Sequence, residues 1–420
     1  MILVRNLLLP LNGSRCLLGL SVLVLLAACT PKVRVLRAPG SDVPVKTEKP
    51  TEEEETTGKS EEADAIDFNQ IALLLPFELD KANPHAPSAA DIKRSAMALD
   101  FYQGFKIGLD ALSAEGANFK LNVLDSRDDA AENARIAKLD EVQDAALVVG
   151  PVYPKEIEVF GFNAKLGQTL QISPLAASMP SEFNLSNLVT MTAPLPVHVK
   201  ALAAHIADQY QPGDVVIFYQ TPDQGGKQLL APLKTEIRKL KGGNIRVVDA
   251  EDEESLESRV HLDGRNLVVL ATTNRYEVSP ILAQLRRLKE ELSYDIQLFG
   301  HPGWAKLGFD AADGLAAFKT RITASYYVDS GAEDVRRFNQ QYQSEFGIAP
   351  TEFAYKGYDA AYYFGGLLVK YGPDYRKHLE DTGYAGLHNA FEWEYNPTWG
   401  YVNNAISILQ YGSGGFRPIN

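Results

Sequence analysis

Residues 145–178 read AALVVGPVYPKEIEVFGFNAKLGQTLQISPLAAS, and this stretch constrains the fold more than any other. Two apolar runs of strand length, Ala145–Val149 and Leu170–Ile172, flank a segment long enough for a helix. Both predict strands covered on both faces, as in a parallel sheet. Parallel neighbours need a crossover, and the intervening segment supplies one. Each run stops at a turn-forming pair, Gly150-Pro151 and Ser173-Pro174. Open sheets of this kind take ligands beyond the carboxyl ends of their strands, where strand order reverses. Gly150 permits a close backbone approach, and Pro154 suits the first turn of the following helix. The free N–H groups of that helix favour an anionic group. One such loop is most often an ordinary turn; two in succession point toward a ligand.

The same grammar runs along the chain. Ile71–Leu75 is an apolar run ending at Pro76-Phe77, the expected first strand. Lys81–Asp91 is polar and proline-containing and reads as a loop over a cleft mouth. Ala96–Leu112 carries a helical period, with Gly104 and Gly108 one turn apart as small packing residues. Phe119–Leu124 predicts a strand, followed by Asp125-Ser126-Arg127-Asp128-Asp129, where Ser126 or Asp128 suits an N-cap and Asp125 is a candidate to face the cleft. Leu188–Met191, then Thr192-Ala193-Pro194-Leu195-Pro196, reads as an extended hinge leaving the first lobe. Val215–Tyr219, Ile245–Val248, Leu267–Leu270 and Ile296–Phe299, separated by helical stretches, predict a second sheet. Arg321–Tyr327 reads as a strand returning to the first lobe, with helices at Glu333–Phe346 and Glu352–Tyr371 and aromatic strands at the end. The expected fold is α/β, two doubly wound Rossmann-like lobes joined by hinge strands. The divisions are residues 67–193 in lobe one, 194–327 in lobe two, and 328–420 as a return to lobe one with strands near the hinge.

Arg5 and Arg15 precede an apolar run, Cys16–Ala28, which is short for a membrane span. It closes on Leu26-Ala27-Ala28-Cys29, matching the bacterial lipobox, so residues 1–28 are expected to be a lipoprotein signal peptide and Cys29 to carry lipid. The only other cysteine, Cys16, leaves with the signal, so the mature chain has no disulfide and no free thiol. Residues 29–66 lack aromatics and end in an acidic run, the composition of a disordered tether spanning about 30–40 Å. The net charge of −13 argues against nucleic acid and against adhesion to anionic lipid by charge. None of the common nucleotide, hydrolase or metalloprotease motifs occurs. The seven histidines are scattered, and His198 and His205 lie too far apart along one helix to share a metal unaided. No enzyme activity, cofactor or metal is expected.

The stretch VVGPVYPKEIEVFGFNAKLGQTLQISPLAAS resembles the signature region of class I periplasmic binding proteins of the leucine/isoleucine/valine-binding branch. Ala354-Tyr355-Lys356-Gly357-Tyr358-Asp359-Ala360-Ala361 resembles a later helix of the same family, and the likeness spans about residues 68–416. The resemblance implies a ligand, amino-acid-like, held between the lobes for an ABC permease, with the membrane reached through lipid on Cys29. It implies Gly150, Pro151, Val152 and Tyr153 in one ligand loop and Ser173, Ala176 and Ala177 in the next. From lobe two it brings Tyr219, Thr272, Thr273, Asn274 and His301, and from the late helix Tyr358 and Asp359. Packing at the hinge is an equal reading of Tyr219 and Asp359. Two departures stand out: the serine-alanine loop lacks its threonine unless Ser178 substitutes, and the loop at Thr221–Lys227 has no tyrosine, leaving Asp223 as partner for an ammonium. These departures and the tether keep a second reading open, a regulatory lipoprotein whose partner is a cell-wall synthase.

Overall fold

The computed structural model describes residues 34–36, 69–83 and 85–419. The signal segment, Cys29 and the acidic part of the tether lie outside the described residues. Two α/β lobes are present, as expected. The first sheet has the order β1-β3-β2-β4-β5-β6-β15-β14. Its strands are β1 (Arg34–Leu36), β2 (Gln70–Leu75), β3 (Phe119–Asp125), β4 (Leu147–Val149), β5 (Leu170–Ser173), β6 (Leu188–Thr190), β14 (Trp393–Asn396) and β15 (Gly400–Asn403). The second sheet has the order β17-β16-β11-β10-β9-β7-β8. It comprises β7 (Val215–Tyr219), β8 (Val247–Ala250), β9 (Asn266–Leu270), β10 (Ile296–Gly300), β11 (Arg321–Ala324), β16 (Ser407–Gly412) and β17 (Gly415–Pro418). A hairpin of β12 (Tyr384–Ala385) and β13 (Ala390–Phe391) stands apart. Strand order reverses around β2 in one lobe and β7 in the other, so each sheet has a switch point.

The unbroken apolar runs are explained by burial on both faces. In β2, Ile71, Leu73 and Leu75 enter one core while Ala72 and Leu74 enter the opposite one. In β7, Val215, Ile217 and Tyr219 divide from Val216 and Phe218 in the same way. Period two is present in the side chains although both sets are apolar.

Several boundaries differ from the sequence reading, each for a local reason. The first long helix, α1 (Ala89–Ala114), starts seven residues before the apolar period does, because Ser88 and Asp91 form a capping box. Helix α2 (Ala130–Ile136) is capped by Asp129, not Ser126 or Asp128. Arg127 and Asp128 are both left-handed (φ 57° and 48°), which delays the helix start. After α3 (Asp140–Gln143) and α4 (Pro154–Ala164), helix α5 (Leu195–Gln209) begins inside the segment read as extended hinge. Pro194 is its N-cap and Pro196 lies in its first turn, where the missing N–H costs nothing.

Helices α6 (Gln224–Lys239), α7 (Glu253–Arg259) and α8 (Arg275–Glu290) flank the second sheet. Strand β11 belongs to that sheet, between β10 and β16, and does not return to the first lobe. The return is made by α9 (Glu333–Phe346) and α10 (Glu352–Tyr371). The chain then crosses once more: β14 and β15 complete the first sheet, β16 and β17 the second. Residues 34–36, read as tether, add an antiparallel strand to β3, whose outer edge is otherwise unpaired.

Lobe one is closed by α1 against α10. Gly104 and Gly357 set their separation: a Cβ on Gly104 would lie 1.8 Å from the Ala354 carbonyl oxygen, and one on Gly357 2.1 Å from that of Phe101. Gly366, on the same α10, has its nearest neighbour 3.9 Å away. Gly104→Ala is therefore expected to destabilise by about 1–3 kcal/mol or more through overpacking. Gly366→Ala is expected to stabilise by up to about 1 kcal/mol through helix propensity. Thermal unfolding of the two variants measures both; equal effects would show that the helices separate freely.

Candidate functional site

Three backbone crossings link the lobes: β6 to α5, β11 to α9, and β15 to β16. The switch-point loops are those after β2 and β4 in lobe one and after β7 and β9 in lobe two. Serine-95 of α1 anchors the first of them, its hydroxyl donating to the Phe77 carbonyl at 2.6 Å (Ser95).

In lobe one, Gly150 is buried with φ 104°, and a Cβ there would come within 2.1 Å of the Leu74 carbonyl oxygen. Only glycine can lie so close to β2 in this conformation, so Gly150 shapes the loop. Pro151 and Val152 are buried beside it, while Tyr153 is 38% exposed at the N-cap of α4. Ser173 ends β5 and is 1% exposed; Ala176 is half-buried and Ala177 exposed. The hydroxyls of Ser173, Thr190 and Thr192 are buried without a hydrogen-bond partner among the described residues. Ser173 is the register partner of Thr190, so two of these orphans sit side by side at adjacent strand ends. Buried hydroxyls ordinarily find partners, and such a group marks a place where water or ligand completes the structure.

Asp125 does not offer its carboxylate to a cleft. Its oxygens accept from the backbone N–H groups of Glu78 (3.0 Å), Leu79 (2.9 Å) and Arg127 (3.0 Å), tying the loop after β2 to the loop after β3. Glu156 went unnoticed in the sequence. It sits in the first turn of α4, 3% exposed, with no donor to either oxygen among the described residues. Burial, and then the neighbouring Asp128 carboxyl, push its pKa up to about 8. A protonated Glu156 is the donor that Asp128 can accept. Its neighbour Ile157 and the later Phe160 mark the buried face of α4, the one signal in KEIEVF that Glu156 lies near the core.

In lobe two, Asp223 caps α6: one oxygen accepts from the Thr221 hydroxyl (2.7 Å), the other from the Gly226 N–H (3.0 Å). Burial opposes its charge, but these hydrogen bonds win and hold its pKa below the usual carboxylate range. Asp223 is thus ionised but engaged. Thr272 is fully buried, donating to Glu277 at 2.9 Å and accepting from the Asn274 N–H. Asn274 caps α8 through the Tyr276 N–H. Thr273 is exposed, and Tyr219 is 8% exposed, its hydroxyl pKa raised by burial. His301 accepts from the Gly303 N–H through Nδ1 (2.9 Å), leaving Nε2 for other contacts. Burial lowers its pKa, partly countered by Asp223, so it is neutral. His198, weighed in the sequence only with His205 as a metal pair, bonds Thr323 at 2.9 Å, and burial drops its pKa to about 4.

The late-helix pair does not join these loops. Asp359 is fully buried and accepts from the Tyr384 hydroxyl and from the N–H groups of Leu387, His388 and Asn389. Its pKa is pushed up to about 6 by burial, with those donors limiting the rise. It organises the loop between β12 and β13, in keeping with the packing reading. Tyr358 packs edge-on to Phe338 at 5.1 Å and stacks on Tyr362.

Two α/β lobes, each with a switch point and joined by three crossings, are the architecture of proteins that grip a solute between two lobes. The chain matches the periplasmic binding protein family over residues 94–412, and it belongs to that family. The family is a solute-binding fold and not an enzyme. No curated protein matches the sequence. Among solved structures, a putative branched-chain amino acid ABC transporter protein of Rhodospirillum rubrum shares 20% identity, with TM-score 0.59 over 83% of this chain and 99% of that one. A branched-chain amino acid ABC transporter periplasmic ligand-binding protein of Burkholderia xenovorans shares 13%, with TM-score 0.55 over 83% and 94%. An ABC transporter substrate-binding protein of Desulfitobacterium hafniense, in complex with Leu, shares 14%, with TM-score 0.50 over 83% and 99%. Among the described residues no helix is long and apolar enough to cross a membrane.

Glu156 yields a pH prediction. Its folded pKa of about 8 exceeds the unfolded value, so its contribution is full below the unfolded pKa and falls away as pH rises toward 8. Denaturant unfolding at pH 5 and pH 8 should show wild type losing about 1–3 kcal/mol more than Glu156→Gln across that interval. Parallel losses would remove Glu156 as the cause.

Proposed function

We propose that the protein is the solute-binding component of an ABC transporter and takes a small amino-acid-like ligand between its lobes. The observation that carries this is the pairing of side-by-side orphan hydroxyls at the lobe-one strand ends, Ser173 and Thr190, with an exposed Tyr153 on the adjacent switch-point loop. Family membership and the named structural relatives support it. Ligand groups are proposed along the loops Gly150–Tyr153 and Ser173–Ala177, with Thr273, Asn274 and His301 closing from lobe two. Tyr219 and Thr272 serve as supports for the lobe-two loops, while Asp359 holds the loop between β12 and β13 and Tyr358 packs on Phe338 and Tyr362. Lipid on Cys29 would anchor the mature protein to the membrane, with the acidic tether as spacer. The cell-wall synthase reading gains nothing from the comparisons.

Thermal unfolding against a panel of free amino acids and related carboxylates tests the reading. A true ligand at about 100 times its Kd adds about 2.7 kcal/mol, a rise in Tm of several degrees. The double variant Tyr153→Ala, Ser173→Ala should lose that shift. A shift that survives unchanged would place the ligand elsewhere. Cys29→Ser should move the protein from the membrane fraction to the soluble fraction; retention with membranes would exclude lipid on Cys29 as the anchor.

A further inference from the structure

Without β1, the two sheets would end on β3, β14, β8 and β17. Strand β3 has seven residues, and each of the other three has four. The longest open edge is the one most in need of cover. It is covered by the chain's own N-terminal segment, with Arg34 opposite Leu121, Val35 opposite Lys120 and Leu36 opposite Phe119. The sequence there suits a strand: residues 32–35 alternate Lys, Val, Arg, Val, charged against β-branched.

The direction of β1 decides on which side a membrane lies. Because the pair is antiparallel, the chain before Arg34 heads toward the carboxyl end of β3 at Asp125. Leu121 is four residues short of that end, about 13 Å of strand. Cys29 is five residues before Arg34, a reach of at most about 18 Å when fully extended. A lipid on Cys29 therefore extends barely past the strand end. The acidic run lies on the other side of β1, in residues 37–69, which connect β1 to β2 within one sheet and add nothing to that reach.

Apolar side chains stand at the same end of the lobe. Asp125 holds the Leu79 N–H at 2.9 Å, and the Leu79 side chain is 62% exposed. Ile92, in the first turn of α1, is 57% exposed, and Ser95 one turn on keeps this helix start beside the loop after β2. Exposed apolar groups beside a lipid-bearing chain suit the boundary between headgroups and acyl chains. The local charge agrees. Lys32, Arg34 and Arg37 follow Cys29 before the first acid, Asp42, so the segment next to the lipid is basic although the whole protein is acidic.

We propose that β1 is a docking strand that holds lobe one against a lipid surface, with the end bearing Leu79 and Ile92 on the bilayer and only residues 30–33 between lipid and fold. This rests on lipid at Cys29 and replaces the long acidic spacer with a short basic one. Lobe one is then the fixed lobe, and lobe two is the one that moves when the lobes close.

The full lipidated chain on phosphatidylethanolamine–phosphatidylglycerol vesicles tests the proposal, with an energy-transfer acceptor on the lipid headgroups. The donor dye is carried by Leu79→Cys or by Ala114→Cys, the latter at the other end of α1, about 39 Å away along the helix. Transfer should be strong from position 79 and weak from position 114. Deleting residues 41–66 should change neither. Arg34→Pro combined with Val35→Pro removes the N–H groups on both sides of β1. That variant should lose most of the transfer from position 79 and show faster hydrogen exchange at residues 119–121. Equal transfer from both positions, a change on deleting 41–66, or a proline variant that keeps both transfer and protection overturns the docking strand and leaves the anchor standing. A lipidated chain that never binds the vesicles overturns the anchor and the docking strand together.

Discussion

The docking of α1 against α10 is the contact on which the rest depends. Lobe one is discontinuous in the chain: α1 comes from residues 89–114 and α10 from 352–371, with all of the second sheet up to β11 between them. Their backbones approach so closely that Gly104 and Gly357 leave no room for a Cβ. Lys106 adds a charged tie to α9 through Glu345 at 2.6 Å, and Asp100 accepts from Thr351 at 2.6 Å just before α10 starts. The lobe-one wall of the site is thus complete only after the chain has crossed to lobe two and come back. The crossings that permit the return are the same ones that join the two lobes.

At the rim itself, most charged groups are already engaged. Asp125 binds a loop, Asp223 caps a helix and Asp359 gathers three backbone N–H groups and a tyrosine. The two histidines nearest the rim of lobe two are neutral, their pKa values lowered by burial. What remains is largely uncharged: the orphan hydroxyls of lobe one, Tyr153, Thr273 and the free face of His301. A site with this inventory orients a ligand by hydrogen bonds more than by full charges. Discrimination then comes from leaving buried polar groups unpaired when the wrong ligand enters, which is costly at each unmatched group.

The fold was legible because burial on both faces leaves a mark that composition alone does not: apolar runs of strand length, each stopped by glycine, proline or serine, recurring with helix-length gaps. The site was less legible. Asp125, Asp223 and Asp359 look alike in sequence to any ligand-binding carboxylate, and only their backbone partners show that they hold loops. Glu156 was missed for the opposite reason, since a glutamate in a first helical turn ordinarily faces solvent, where it complements the dipole. The double-proline segment was misread because proline suits both an extended hinge and a helix start, and the choice is made by tertiary context. The fate of β11 and β16 could not be read from periodicity, which says that a strand is buried but not in which sheet.

Tension between the lobes is set by groups outside the rim. Lys306 reaches across to Glu352 and lies 5.5 Å over the Tyr326 ring, while Lys356 shares that ring without a partner of its own. Tyr326 stands on the crossing from β11, so the ring that collects both ammonium groups moves with the hinge. Lobe opening would pull Lys306 away from both Glu352 and Lys356, losing one attraction and one repulsion. The direct ion pair is the closer contact, so it favours closure, by about 0.2–1 kcal/mol as for other exposed pairs.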